Sequence, residues 1–296
     1  MSTASQAAVV APGRSASAAP IQHWLRLFRS ELRIIFRRPR NLVLLALLAA
    51  APVFLGIVLR INTPPPGAGG GEGPDVFIGQ IADNGVFLSL FAIYVLLPVV
   101  VPLAVAVVSG DSVAGEAGLG TLRTLLTVPA GRIRLLLTKY LAIVVFCLAA
   151  YLLIAVTALV LGAVLFPIGP VTLLSGDTVP LAAGLGRLAL IVLYVVAALA
   201  ALGAIGLALS TFSQHAIAVM ASVLVIVIVS QILDAVSQIA AIHPYLPTHY
   251  WLAFDGLLRT PIAWSGLLHG LASFAAWAAI FLAVAWTRMR RADITC

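Results

Sequence analysis

The sequence predicts an all-α, polytopic membrane protein with six transmembrane helices, and three observations carry that prediction. Of its 296 residues, 62% are apolar and 9% charged, with a mean hydropathy of +1.14, whereas a soluble domain carries about 25% charged residues. Charge-free stretches run over 41–59, 84–110, 140–176, 188–233, 235–254 and 260–287. A spanning helix needs about 20 apolar residues to cross roughly 30 Å of hydrocarbon. Finally, of the 17 basic residues, 14 fall in 1–40, 110–139 and 288–296, against Arg60, Arg187 and Arg259 in the remaining connections. A water-soluble globule and a disordered chain are both excluded. Two cysteines, Cys147 in an apolar run and Cys296 at the end, do not make a disulfide framework.

Residues 1–20 read as a disordered cytoplasmic tail. The string Ser15-Ala-Ser-Ala-Ala19 imitates a cleavage site, but the apolar core of a secretory signal is missing. From 21 to 38 the period becomes helical. Ile21, Trp24, Leu25, Phe28, Leu32, Ile35 and Phe36 form one face, and Gln22, Arg26, Arg29, Ser30, Arg33 and Arg37 the other. Such a helix lies in the membrane interface, its apolar face on acyl chains and its arginines among phosphates. It serves either as a general anchor or as a contact for a partner. Pro39 disfavours helix at Arg38, so the chain turns there into the bilayer.

Residues 39–287 form the six-span domain, with spans at about 41–60, 86–109, 140–165, 188–209, 216–240 and 265–287. The polar cluster Ser210 to His215 divides the fourth span from the fifth. Pro98 and Pro102 remove backbone donors from the second span and predict a kink. The connection 61–85 opens on Pro64-Pro-Pro66 and a glycine-rich run, an irregular loop. The aromatic stretch 243–262 reads as short re-entrant helices before the last span. Tyr245, Tyr250, Trp251, Phe254 and Trp264 would form an interfacial belt there. Small residues in the fourth span (Ala197, Ala198, Ala200, Ala201, Gly203, Ala204, Gly206) permit close helix approach, within the chain or across a dimer.

Positive charge in short loops stays cytoplasmic. With an even number of spans, both termini, the 110–139 loop and the 288–296 tail therefore lie inside. The net charge of +7 is explained by arginines beside spans and anionic lipid, so no nucleic-acid partner is expected.

The longest internal loop is neither polar enough for a free linker nor apolar enough to cross. Leu119, Leu122, Leu125 and Leu126 recur at helical spacing, and Val128-Pro-Ala-Gly131 ends that helix before Arg132. A helix, a glycine hinge, a second short helix and a turn are expected. The run Asp111-x4-Glu116-x-Gly118-x-Gly120-Thr121-Leu122-Arg123-x-Leu125-Leu126-x2-Pro129-x2-Arg132, followed by Lys139 at the head of a span, resembles the cytoplasmic signature of the membrane (permease) subunits of type 2 ATP-binding cassette exporters. The resemblance covers roughly residues 21–293 and extends to the interfacial helix, the six spans, the re-entrant segment and the basic end Arg288-Met-Arg-Arg291.

This resemblance implies that 111–132 forms a coupling helix seated on a separate ATPase. The interfacial helix, with Trp24, Arg26, Phe28, Arg29 and Arg33, would touch the same partner. It also implies a second permease copy, as homodimer or heterodimer, in the plasma membrane of a prokaryote. Lys139 is the only lysine and follows Leu137-Thr138 without the glycine-rich loop that cradles phosphate. The chain is therefore expected to be no enzyme and to hold no cofactor, with ATP and Mg bound by the partner.

Asp234 is the only acid well inside an expected span, and with Gln231 and Gln238 it makes one polar stripe. An intramembrane carboxylate faces a cavity or a partner. The stripe, with the Pro98 and Pro102 kink, is either a wall of a translocation path, a hydrogen-bonded seam between helices, or hydrated at the surface. His243 and His249 lie six apart without a Cys or acid at metal spacing, so no metal site is expected. The alternatives are an ion-coupled secondary transporter, which calls for inverted repeats and several intramembrane acids, and an intramembrane enzyme, whose nucleophile, paired aspartates or metal ligands are not seen.

Overall fold

The computed structural model describes residues 19–62, 80–81, 84–118 and 132–291. Its helices are α1 (Ala19–Arg37), α2 (Pro39–Ile61), α3 (Val86–Leu96), α4 (Val100–Asp111), α5 (Ala114–Gly118), α6 (Arg132–Leu165), α7 (Leu181–Ser210), α8 (Ala216–Asp234) and α9 (Trp264–Arg291). A small antiparallel hairpin, β1 (Val171–Thr172) and β2 (Thr178–Val179), precedes α7. Two 3₁₀ segments, Ser237–Tyr245 and Ala253–Leu258, lie between α8 and α9. Five helices (α2, α6, α7, α8, α9) are long and apolar enough to cross a membrane, and the pair α3 and α4, bent by 58°, would make a sixth. This make-up is consistent with a multi-pass, helical membrane protein.

The core is organised around α7, which packs against α9, α4 and α6, while α6 in turn holds α1, α2 and α3. In α7, 72% of the most apolar stretch is buried, against 17% in both α2 and α9. The outer helices therefore turn wide apolar faces away from the chain, carrying Phe54 and Ile57 on α2 and Val225 and Ile232 on α8.

The small residues of α7 serve this interior. A Cβ on Gly203 would stand 2.7 Å from Ile143 Cγ2, and one on Gly206 would run into the Ser109 hydroxyl. Ala198, Ala201 and Ala204 are buried with them, so the stripe packs α7 against α4 and α6 within one chain.

Local chemistry explains the main turns. Arg38 is extended (φ −66°, ψ 123°) before Pro39, as the proline requires. Asn41 Nδ2 donates to the Ile35 carbonyl at 2.9 Å and ties the two helices across the turn. Asn84 does the same at the opposite end. Its Nδ2 donates to Gly169 and Pro170 carbonyls at 2.9 and 3.0 Å, and its Oδ1 accepts the Val86 N–H at the start of α3. The expected kink falls at 97–99, where α3 gives way to α4.

Several boundaries differ from those read in the sequence. One helix, α6, runs from Arg132 into the expected third span at about 140–165, and Lys139 does not interrupt it because its charge is neutralised inside the fold. The helix of the expected fourth span begins at Leu181 rather than 188. Arg187 lies within it because its Nη1 donates to the Leu257 and Arg259 carbonyls at 2.6 and 3.0 Å. The fifth stops at Asp234 instead of continuing to 240, the backbone becoming extended at Val236 (φ −93°, ψ 99°).

The aromatic belt is also revised. Trp251 and Phe254 are buried core residues, and only Tyr245 and Trp264 of that set are strongly exposed. The tail 1–18, most of the 63–83 connection and residues 119–131 of the internal loop lie outside the described residues.

Candidate functional site

Two clusters of charged and polar side chains occupy opposite ends of the helices. At the first end α1 leads into α2, α4 into α5, and α6 begins. The amphipathic pattern of α1 holds in part. Arg26, Arg29, Arg33 and Arg37 are exposed, whereas Phe28, Leu32, Ile35 and Phe36 pack against the core of the same chain, with the Phe36 ring 6.1 Å from Phe146. Much of the apolar face thus lies on α6 rather than on acyl chains. Trp24 stacks on Phe28 at 5.9 Å.

That placement buries Glu31, which stands between Phe28 and Ile35 on the inward face. Lys139 of α6 meets it at 3.2 Å and meets Glu116 of α5 at 2.6 Å, all three side chains being buried. One ammonium therefore joins the amphipathic helix α1, the short helix α5 and the long helix α6. Burial raises the Glu116 carboxyl above its ordinary range, outweighing the Lys139 ammonium beside it, which lowers it. A second junction adjoins the first. Asp111 at the end of α4 is salt-bridged to Arg38, and to Arg40 at 3.0 Å. A narrow cavity of about 20 Å³ between the junctions is lined by residues of both, including Asn41 and Ser112.

Of the residues expected to couple to an ATPase, Asp111 and Glu116 are thus brought to one place, and Gly118 closes α5. Arg132 opens α6, although its side chain is not described. Gly120, Thr121, Leu122, Arg123, Leu125, Leu126 and Pro129 lie outside the described residues. Glu31 and the burial of Lys139 were missed by sequence reasoning. The available signal was an acid at offsets of three and four from Phe28 and Ile35, inside an apolar stripe.

The second cluster lies where α8 ends. Gln231 Nε2 donates to the Pro98 carbonyl at 2.7 Å, an acceptor left open because Pro102, four residues on, has no backbone N–H to give it. Asp234, one turn on, accepts from His249 Nδ1 at 2.6 Å, and His243 Nδ1 stands 3.7 Å from the same oxygen. The three functional groups lie within 4.8 Å of one another. Asp234 and His249 line a cavity of about 270 Å³ whose walls also include Pro98, Gln231, Thr248 and Trp251.

The expected polar wall is therefore assembled in part. Pro98, Gln231 and Asp234 share it, whereas Pro102 is buried in α4 and Gln238 is exposed beyond the helix end. The reason given for discounting a metal site, the lack of an acid near His243 and His249, is overturned. Asp234 supplies that acid from the neighbouring helix, a juxtaposition made by the chain reversal after 234. His269 lies apart, its Nδ1 bonded to the Ser265 carbonyl at 2.8 Å.

Residues 78–295 match the family described as "Protein of unknown function (DUF2705)", and the chain belongs to that family. No curated protein matches the chain.

Proposed function

We propose that this chain is the permease subunit of an ATP-binding cassette exporter. In this reading six spans and a second permease copy, identical or similar, enclose a path in the plasma membrane of a prokaryote, with both termini cytoplasmic. Separate ATPase subunits bind beneath and supply the ATP and Mg chemistry. The cargo is hydrophobic or amphiphilic, in keeping with the scarcity of buried charge along the helices.

The observation that carries the proposal is where the Asp111-to-Arg132 sequence emerges. It leaves α4 at a salt-bridged Asp111, passes through Glu116, and re-enters the fold at α6 close to Lys139. A partner pushing on this loop would move α4, α6 and α1 together, because the ion pairs bind all three. Rigid displacement of packed helices is a common way to convert a local contact into a change of access. The bend at 97–99 gives the second span a place to flex.

Isolation of the chain from its native membrane tests the proposal. A co-isolating ATPase with a phosphate-binding glycine loop, and ATP hydrolysis by the pair, are expected. Isolation of the chain alone, with no ATP-driven transport in vesicles, would refute it.

A further inference from the structure

We propose that Asp234, His243 and His249 form a binding site for a divalent transition-metal ion of the zinc class. The inference is independent of the transport reading and rests on four features of the second cluster.

The first is ligand type. Two imidazoles and one carboxylate are a donor set suited to Zn²⁺ and its neighbours, whereas Ca²⁺ and Mg²⁺ select oxygen alone.

The second is the orientation of His243. Its Nε2 stands 3.1 Å from the Val236 carbonyl. A carbonyl only accepts, so this nitrogen carries the proton. In the neutral ring the lone pair is then on Nδ1, which faces the Asp234 carboxylate at 3.7 Å. Two electron-rich atoms face each other at a distance that a cation between them would turn from repulsive to bonding. Donation of the far ring nitrogen to a backbone carbonyl is also how metal-bound histidines are commonly held.

The third feature is spacing. Zn–N and Zn–O bonds of about 2.0–2.2 Å place tetrahedral ligand atoms roughly 3.3–3.5 Å apart. The observed separations of 2.6 and 3.7 Å from Asp234 bracket that value, and all three atoms lie within 4.8 Å of one another, so side-chain rotations that draw the two imidazoles together complete the set. His249 Nδ1 now donates to Asp234. Its proton passes to solvent when the ion replaces it, as metal binding to imidazole requires.

The fourth is rigidity combined with access. His249 sits between two anchored neighbours. Thr248 shares a 2.6 Å hydrogen bond with Ser230 of α8, and the Tyr250 carbonyl accepts from the Tyr194 hydroxyl at 2.7 Å. Trp251 behind them is buried. The ligand side chains themselves are 15–30% exposed, so an ion from water reaches them. Three protein ligands leave a tetrahedral ion one open position, and the adjoining cavity of about 270 Å³ can supply a water or a ligand group there. A bound ion would clamp the end of α8 to the segment that leads into α9.

The test uses full-length chain without a histidine tag, stripped with EDTA in detergent and titrated with Zn²⁺ by calorimetry. One Zn²⁺ per chain is expected, with a rise in Tm that EDTA reverses. Co²⁺ should give the visible absorption of a tetrahedral nitrogen and oxygen site. Asp234→Asn and His249→Ala should each weaken binding by more than the about 10–100-fold typical of losing an outer partner. If His249→Ala does not fold, His243→Ala provides the same test, since among the described residues that side chain's hydrogen bond outside the cluster goes to the Val236 carbonyl. Absence of saturable Zn²⁺ binding by the wild-type chain, or undiminished binding by Asp234→Asn and the histidine variant, would overturn the proposal. Failure to find a partner ATPase would leave these outcomes unaffected.

Discussion

The two charged clusters are built from similar groups but solve opposite problems. At the first end Glu31, Lys139 and Glu116 are withdrawn from water and satisfy one another across three helices. At the second end Asp234, His243 and His249 remain partly exposed, Asp234 and His249 lining a cavity. A buried cluster is costly to break because a removed partner leaves an uncompensated charge. A partly exposed cluster costs little to break, because water takes the place of the lost partner. The contrast teaches that burial separates a joint of the fold from a place where a ligand can bind.

Lys139→Met should break the comparison most severely. It leaves two buried carboxylates without their ammonium and should cost about 3–5 kcal/mol, seen as a large fall in Tm and in the monodisperse fraction in detergent. Adding Glu31→Gln and Glu116→Gln to the same chain should recover part of that loss, since no uncompensated charge is then left buried.

Glu31→Gln alone should cost less, about 1–3 kcal/mol for a charged hydrogen bond lost in a buried site, with thermal unfolding as the measurement.

Glu116→Gln sharpens the contrast through pH. Because burial raises this carboxyl above its ordinary value of 4.5, its protonation stabilises the fold. That contribution is fully present below 4.5 and is lost as pH rises through the folded value. The glutamine variant should lack this dependence. Its Tm difference from wild type should therefore change across that interval, and a constant difference would contradict the assigned shift.

Arg40→Ala removes the more exposed of the two arginines on Asp111 and should cost at most about 1 kcal/mol. The smallest effect is expected from His249→Ala in EDTA, where Tm should stay within the range of a surface ion pair.

Much of the helical plan was legible because membrane spans announce themselves by length and lack of charge. α2 and α9, with few buried positions, were read to within a few residues. The starts of α6 and α7 precede the expected spans because a charge does not end a helix when the fold satisfies it, whereas α8 stops short of 240 where the backbone becomes extended at Val236. Arg187 and Lys139 lie inside helices because carbonyls or carboxylates of distant segments satisfy them, and periodicity cannot reveal a partner 108 residues away. The loop motif singles out Asp111 and Glu116 as ATPase-coupling residues, whereas their ion pairs with Arg38, Arg40 and Lys139 depend on segments the motif does not include or relate to them. Glu31 was hidden by its neighbours' apolar pattern, although its inward position followed from helical spacing. His243 and His249 were noticed together, yet the acid that completes their cluster comes from another element. Only the reversal after Val236 brings it near.

In the proposed function a partner ATPase engages the loop between α4 and α6 and does not engage the opposite end of α8. Photo-crosslinking in native membranes tests this most directly, with a benzophenone amino acid placed at Leu122 in one chain and at Ile232 in another. Mass spectrometry should identify an ATPase with a phosphate-binding glycine loop in the adduct from position 122 and none from position 232. An adduct from position 122 that contains only lipid or this chain itself would contradict the claim.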